Sequence, residues 1–168
     1  SRVQLNQVAP QVAKFKPDEV VNQEIEMLRT QINEKDIHIA IKGDLEALFM
    51  DKEHFRIAFR NLLHNAIKFT PEKGEIQIRW SKSTKPCLEI IDNGVGFSES
   101  KIEKILQGQI VRSDPGTSGE VGTGLGINLI MALLEKNNCT LEIERATVGS
   151  IVTITFPNVK ESKVPETT

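Results

Sequence analysis

The chain has 168 residues, of which 39% are hydrophobic and 26% charged, so it can bury the core of one domain but not comfortably of two. Its formal net charge of −2 argues against nucleic acid as a main partner. No apolar run reaches the roughly 18 residues of a membrane-spanning helix, and no signal peptide opens the chain. The start at Ser1 rather than methionine predicts a fragment of a larger protein, and two cysteines expected to stay reduced predict a cytoplasmic one. The upstream part of that protein could still carry a membrane anchor.

The two cysteines, Cys87 and Cys139, lie at the edges of apolar runs. Neither has a second potential metal ligand at the usual spacing. This placement predicts reduced, half-buried thiols rather than a metal site.

The first half of the chain is predicted to form a helix, two strands and a second helix. Residues 1–16 have no clear apolar alternation, and Pro10 would break a helix there. Apolar residues at helical spacing then predict a helix over about 17–33, and alternation predicts strands over 37–41 and 47–50. Asp51 is expected to cap the next helix, which stops before Pro71.

The second half is predicted to form two strands, a short helix, a loop, a helix and a closing strand pair. The first strands cover 76–80 and 88–91, and the short helix covers about 98–106. A glycine-containing loop over 107–121, expected to be mobile, precedes a helix over 125–136 and strands over 141–143 and 151–156. Strands in adjacent pairs between helices predict a two-layer α/β sandwich. Its mixed, mostly antiparallel sheet would have about five strands, with three helices on one face.

Three polar residues of the second long helix, Asn61, Asn65 and Lys68, fall on one helical face. Amide oxygens can ligate magnesium without adding charge, and a lysine can contact phosphate oxygens. The solvent-facing side of an amphipathic helix would give the same pattern, so this segment alone does not decide between the two.

A second segment, Asp92-Asn93-Gly94-Val95-Gly96-Phe97, directly follows an apolar strand. Asp92 can accept a hydrogen bond from an exocyclic amine, while Gly94 and Gly96 let the backbone approach a flat ring. An ordinary tight turn has the same composition.

A third segment, Gly122-Thr123-Gly124-Leu125-Gly126-Ile127, opens the helix that follows the loop. Free backbone N–H groups at a helix start form an anion site suited to phosphates. A dinucleotide-binding glycine loop would instead follow the first strand of a βαβ unit, and no GxxxxGK[ST] phosphate loop occurs.

Taken together, NLLHNAIKFTP, DNGVGF and GTGLGI, in this order, resemble the catalytic domain of sensor histidine kinases. That domain belongs to the superfamily shared with gyrase, the Hsp90 chaperones and MutL-type repair ATPases. The resemblance implies the Bergerat-type ATP-binding fold, with ATP and Mg²⁺ as ligands. It also divides the chain into the end of a dimerisation helix with a linker (1–16), the catalytic domain (17–157) and a polar tail (158–168).

The resemblance assigns roles to the residues of the first two segments. Asn65 matches the asparagine that ligates magnesium, with Asn61 facing the same ion or its waters, and Lys68 matches a phosphate contact. Asp92 matches the aspartate that binds the adenine amino group. Gly94 and Gly96 match positions that line the adenine ring.

The remaining roles fall on the loop and the closing strands. The phosphates would lie against the glycine turn, beneath a lid spanning about 107–121; the residues of that turn are Gly122, Thr123, Gly124, Leu125 and Gly126. Ser150 matches a small hydroxyl position that assists adenine binding through water. The lid lacks the usual phenylalanine-rich segment, so the resemblance does not fix its phosphate contacts. Arg112 is either a phosphate contact or a solvated loop cation.

One departure within the superfamily separates kinases from ATP hydrolases. The hydrolases carry a glutamate where this chain has Asn61, which cannot act as a base near neutral pH. The resemblance therefore implies transfer of the γ-phosphoryl group to a histidine of an upstream dimerisation domain, in a homodimeric parent. A response regulator receiver domain would take the group next. An ATP hydrolase, a serine-directed anti-sigma kinase and a degenerate partner-binding module remain alternatives.

The three histidines of this chain do not match the phosphoacceptor of the family. That acceptor is followed by an acid, whereas His38, His54 and His64 are followed by isoleucine, phenylalanine and asparagine. We expect each to be a structural or surface residue, with the acceptor on a separate helix hairpin.

Overall fold

Most strands and helices follow one another in pairs of the same kind along the computed structural model, which describes residues 9–44, 47–109, 115–119 and 126–158. Its first elements lead to the longest helix; they are β1 (Val12–Phe15), α1 (Asp18–Met27), α2 (Arg29–Glu34), β2 (His38–Lys42), β3 (Leu48–Asp51) and α3 (Lys52–Phe69). The others are β4 (Glu75–Lys82), β5 (Pro86–Asp92), α4 (Glu99–Leu106), α5 (Ile127–Lys136), β6 (Thr140–Arg145) and β7 (Ser150–Thr155).

The main sheet has five strands in the spatial order β2-β4-β5-β7-β6. β2 and β4 are parallel, because the chain crosses over through α3 between them, and the other three pairs are antiparallel. Helices α1, α3 and α5 pack side by side and contact the sheet through α3 and α5. This confirms the predicted two-layer α/β sandwich with a mixed, mostly antiparallel sheet.

Helix α3 runs from the core to the strand ends where the first and second motifs meet. The Asp51 side chain accepts hydrogen bonds from the N–H groups of Glu53 and His54 at 2.9 and 3.1 Å, which caps the first turn as predicted. Phe55 and Phe59 of this helix are fully buried, and the Phe55 ring packs at 5.9 Å from Phe59 and 6.1 Å from Phe156. The helix ends at Phe69, and Thr70 is extended ahead of Pro71.

Two local features differ from the predicted elements. The helix predicted over 17–33 bends at Leu28, where the backbone leaves helical geometry (φ −102°, ψ 8°), so that Ile25 and Ile32 both stay buried. The sequence predicts no strand within residues 1–16, yet Val12–Phe15 pairs antiparallel with β3 and Phe15 packs on Phe55. The predicted dimerisation-helix residues 1–8 and most of the tail, 159–168, lie outside the described residues.

Two further observations concern expectations drawn from composition. Cys139 is buried rather than half-buried, and burial raises the pKa of its thiol to about 12, whereas Cys87 is half-buried as predicted. Among the described residues, no helix combines the length and the apolar character that crossing a membrane requires.

Candidate functional site

A cavity of about 350 Å³ lies between the carboxyl-terminal half of α3, the ends of β5 and β7, and the segment 115–117. Its floor is apolar and includes Leu62, Ile90 and Val152. Its polar rim is formed by residues from four separate parts of the chain; they include Asn65, Asp92, Ser98, Lys101, Thr117 and Ser150. A pocket of this size, with an apolar floor and few polar groups, suits a small ligand with a flat ring.

Asp92 is the buried carboxylate of this cavity, with 6% of its surface exposed. Its Oδ1 accepts a hydrogen bond from the Gly94 N–H at 2.9 Å, and its Oδ2 accepts one from the Ser150 hydroxyl at 2.8 Å. Burial raises the pKa of Asp92, although the hydrogen bonds from Gly94 and Ser150 act in the opposite direction. The oriented carboxylate can accept a further hydrogen bond from a ligand N–H group.

The strand register brings Asp92 and Ser150 together. They are direct partners in the antiparallel pairing of β5 with β7. Gly149 precedes Ser150 in a left-handed conformation (φ +83°), and a Cβ there would lie 1.9 Å from the Asp92 carbonyl oxygen. This close approach requires glycine, and it fixes the two strand ends against each other.

The turn after Asp92 rests on the end of α3. The Val95 N–H donates to the Phe69 carbonyl oxygen at 3.2 Å. A Cβ on Gly94 would lie 2.2 Å from that same oxygen, so only glycine fits here. The predicted second motif is therefore joined to the first motif by direct backbone contact.

The three polar residues of α3 have different environments. Asn65 is half-buried and lines the cavity. Asn61 is 4% exposed, its amide nitrogen donates to the Ile57 carbonyl oxygen at 2.7 Å, and it does not line the cavity. Lys68 is 2% exposed and does not line it either; its Nζ lies 5.0 Å from the centroid of the Phe69 ring. The alternative of a solvent-facing helix side is thus wrong for Asn61 and Lys68.

The predicted phosphate turn is described only at its last residue. Gly122, Thr123, Gly124 and Leu125 lie outside the described residues, as does Arg112. Gly126 is extended (φ −71°, ψ 155°), caps α5 and does not line the cavity. Of the glycines predicted to line a ring, Gly96 lines the cavity, whereas Gly94 contributes its N–H to Asp92.

Several cavity residues were not singled out from the sequence. The Lys101 ammonium lies 5.7 Å from the ring centroids of both Phe69 and Phe97, a geometry that allows cation–π attraction. Pro115, Gly116 and Thr117 form the opposite side. Phe69 lies within the first motif and Phe97 within the second. Their aromatic side chains, next to residues predicted to bind a flat ring, could have identified them as cavity residues. No sequence signal pointed to Lys101 or to Thr117.

The potential metal ligands at the cavity indicate whether side chains alone could hold a metal ion. Within the described part of the chain, no group of three or more His, Cys, Asp or Glu side chains could hold a metal ion. Asn65 offers an amide oxygen at the cavity. Mg²⁺ normally keeps several waters and shares one or two protein oxygens with substrate phosphates. The residues present therefore fit an ion that arrives with a phosphate ligand.

Comparison with known proteins gives one family and several similar folds. Residues 50–160 match the family described as histidine kinase-, DNA gyrase B-, and HSP90-like ATPase. The adaptive-response sensory kinase SasA of Synechocystis is 32% identical over 139 residues, which cover 79% of this chain and 36% of that protein. This chain thus spans little more than a third of that relative's length.

Solved structures of low sequence identity share the fold. The catalytic domain of histidine kinase ThkA, in a nucleotide-free form, is 22% identical with a TM-score of 0.74, over 88% of this chain and 95% of that one. ThkA in complex with the response regulator protein TrrA is 18% identical with a TM-score of 0.72, over 92% of this chain and 44% of that one. Both extend the similarity across nearly all of the present chain.

Proposed function

Because the chain belongs to the family of histidine kinase-, DNA gyrase B- and HSP90-like ATPases, as a catalytic domain of the sensor histidine kinase type, we propose that it binds Mg-ATP in the cavity at Asp92. We propose further that it transfers the γ-phosphoryl group to a histidine on an upstream dimerisation domain. The observation that carries the proposal is the buried Asp92 carboxylate, held by Gly94 and Ser150 at the wall of an apolar cavity.

Asp92 would select adenine over guanine. The adenine amino group can donate to the carboxylate, whereas guanine presents a carbonyl oxygen at the same place, and two acceptors would then face each other. The apolar floor and the rings of Phe69 and Phe97 suit a flat base, and Gly96 lets the backbone approach it.

The phosphate side of the site would use α3 and the glycine turn. The Asn65 amide oxygen is the proposed magnesium ligand, with Asn61 behind it, and bound Mg²⁺ would neutralise charge on the phosphates. Lys68 is buried, so a phosphate contact requires its side chain to leave the Phe69 ring. The N–H groups of the turn over 122–126 would add positive potential.

Phosphoryl transfer to an imidazole needs positioning rather than a base on this chain. A neutral imidazole nitrogen already carries a lone pair; the new N–P bond forms as the bond to the bridging oxygen breaks, and ADP leaves with that electron pair. By the family resemblance, Asn61 replaces the base that activates water in the hydrolases, and an amide cannot take that role. The chain should therefore hold ATP with little hydrolysis.

The partners belong to the same proposal. In the ThkA–TrrA complex, a histidine kinase of this fold is bound to a response regulator. We propose that the parent protein is a cytoplasmic or inner-membrane-anchored homodimer whose phosphohistidine passes its phosphoryl group to a receiver-domain aspartate. The acceptor hairpin would lie upstream of the present residues.

Calorimetric titration with a non-hydrolysable ATP analogue, with and without Mg²⁺, tests the nucleotide site. We expect micromolar-range binding, no binding by Asp92→Ala, and loss of the magnesium dependence in Asn65→Ala. Asn33→Ala, an exposed asparagine on α2, is the control and should bind like the unchanged chain. Absence of binding at millimolar nucleotide would contradict the proposal and favour a partner-binding module.

Adding a separately expressed histidine hairpin and radiolabelled ATP tests the transfer. Acid-labile label on the hairpin is the expected result. Free phosphate released by the chain alone would indicate an ATP hydrolase. Acid-stable label on a serine substrate would indicate the serine-directed alternative.

A further inference from the structure

Lys35 is a buried lysine directly after α2, with 6% of its surface exposed. Its Nζ donates to the carbonyl oxygens of Ile67 and Lys68, at 2.8 and 3.1 Å, and to the hydroxyl oxygen of Thr117 at 2.8 Å. A buried ammonium is costly unless it is hydrogen-bonded, and the last carbonyls of a helix carry partial negative charge. The arrangement therefore joins three segments that are far apart in the sequence.

Thr117 makes further contacts to the same end of α3. Its N–H donates to the Lys68 carbonyl oxygen at 3.0 Å, and its hydroxyl can donate to the Thr70 carbonyl oxygen at 3.2 Å. Thr117, Gly116 and Pro115 line the cavity, and so does Phe69 on the other side of this junction. One ammonium thus connects two walls of the nucleotide cavity from behind, without lining it.

We propose that Lys35 is a positioning residue of the nucleotide site: it fixes the segment 115–117 against the end of α3 through Thr117. This inference rests on the proposed nucleotide-binding function. Without the ammonium, two helix-end carbonyls and the Thr117 hydroxyl lose a charged donor. The wall at 115–117 then separates from Phe69 more often, and bound nucleotide escapes faster.

Amide hydrogen exchange of the nucleotide-free chain tests the junction itself. Lys35→Met should speed exchange of the Thr117 amide by about tenfold or more, because a charge-assisted contact that holds its acceptor is lost. Lys42→Met removes the same charge from the exposed edge of β2 and should leave that amide unchanged. Equal protection of Thr117 in Lys35→Met and in the unchanged chain would overturn the proposal.

Affinity for the non-hydrolysable ATP analogue tests the consequence for the site. Lys35→Met should weaken binding on the order of tenfold, the loss expected for one hydrogen bond to a charged group. Thr117→Val should weaken it in the same direction, while Thr117→Ser, which keeps the hydroxyl, should bind normally. The double variant should be no weaker than the weaker single variant, because both changes remove one junction.

The possible failures can be told apart. Additive effects of the two substitutions, or unchanged dissociation of the analogue from a folded Lys35→Met chain, would overturn the positioning role. If Lys35→Met does not fold, the exchange and affinity measurements are made on Lys35→Arg and Thr117→Val instead. Thr117→Val should fold, since Thr117 is an exposed loop residue. If the unchanged chain binds no nucleotide, the proposed function fails, and the exchange experiment still decides whether Lys35 holds the segment.

Discussion

At the scale of single residues, Asp92 is a carboxylate whose surroundings oppose its charge. Burial raises its pKa, and the donors at Gly94 and Ser150 only partly offset that effect. The folded chain therefore binds a proton at Asp92 more tightly than the unfolded chain, whose ordinary value is 3.8. A bound adenine amino group would add one more donor to the charged form.

The difference between the folded-state and unfolded-state pKa of Asp92 predicts how the stability of the nucleotide-free chain depends on pH. Since the folded-state pKa is raised, the contribution of Asp92 to the free energy of unfolding falls as pH rises from 3.8 through the folded pKa. Asp92→Asn removes this dependence, so its stability relative to the unchanged chain should grow between about pH 4 and about pH 7. Urea unfolding at both pH values measures the difference. The control is Glu72→Gln, which lies on the surface. The argument would be contradicted if the stability of Asp92→Asn relative to the unchanged chain fell as pH rises.

Gly94 gives a second prediction at this scale. An alanine Cβ would lie 2.2 Å from the Phe69 carbonyl oxygen, so the turn and the end of α3 would have to separate. Gly94→Ala should lower the free energy of unfolding by about 2 kcal/mol or more, as expected for backbone overpacking. Gly126→Ala is the matched control, because a Cβ there meets no heavy atom of the described residues within 4 Å. Chemical denaturation of both variants is the measurement, and equal stabilities would refute the packing argument.

The site could be predicted from sequence where its residues stand in contiguous motifs. Asn65, Asp92, Gly96 and Ser150 line one cavity, and their roles toward a nucleotide stay predictions. Thr117 could not be predicted, because its role depends on contacts with a helix end about 50 positions away along the chain. Likewise, helical spacing places Asn61 and Lys68 on the face of Asn65, but it does not reveal that they are buried.

At the scale of elements, α1 and α3 are joined by an ion cluster. The Glu24 carboxylate, 1% exposed, accepts hydrogen bonds from Arg56 at 3.0 Å and from Arg60 at both of its oxygens. Burial acts to raise the pKa of Glu24, but the hydrogen bonds from Arg60 and Arg56 outweigh it and hold the pKa below its ordinary value. The charged carboxylate is therefore favoured in the fold.

Glu24→Gln should lower the free energy of unfolding by about 2 kcal/mol at neutral pH, less than for a fully buried pair because Arg60 is partly exposed to solvent. The stabilisation by Glu24 is present above its ordinary pKa of 4.5 and is lost as pH falls through the lower folded value. Urea unfolding at pH 7 checks the size. Glu26→Gln, whose ion pair with Arg29 is exposed, should change stability by less than about 0.5 kcal/mol; a similar loss in both variants would count against the cluster.

Element prediction succeeded where the apolar period was long. The core residues of α3 repeat over 18 positions, and Asp51 and Pro71 mark its ends. β1 was missed because Val12–Phe15 is short and mostly exposed, and its stability comes from pairing with β3. The bend at Leu28 was missed because the apolar positions on either side keep helical spacing.

At the scale of the whole molecule, a polar junction lies at the end of the helix layer away from the cavity. The Asp51 carboxylate accepts the Gln11 N–H at 2.8 Å, and the Asp51 N–H donates to the Asn137 amide oxygen at 2.9 Å. The Asn137 amide nitrogen donates to His54 Nδ1 and to the Leu133 carbonyl oxygen, each at 3.0 Å. The N-terminal segment, the start of α3 and the end of α5 thus meet at one point, about 20 Å along α3 from Asn65.

Because α3 is anchored at this junction while its other end lines the cavity, stability and ligand affinity should separate here. Asn137→Ala leaves the buried Asp51 N–H and His54 ring nitrogen without this partner, and we expect a loss of about 2 to 3 kcal/mol in the free energy of unfolding. Affinity for the ATP analogue, measured where the variant is fully folded, should change by less than about twofold, since distant sites without shared partners act independently. The exposed Asn33→Ala should change neither quantity. A large loss of affinity in folded Asn137→Ala would instead mean that the junction at Asp51 is energetically coupled to the cavity along α3.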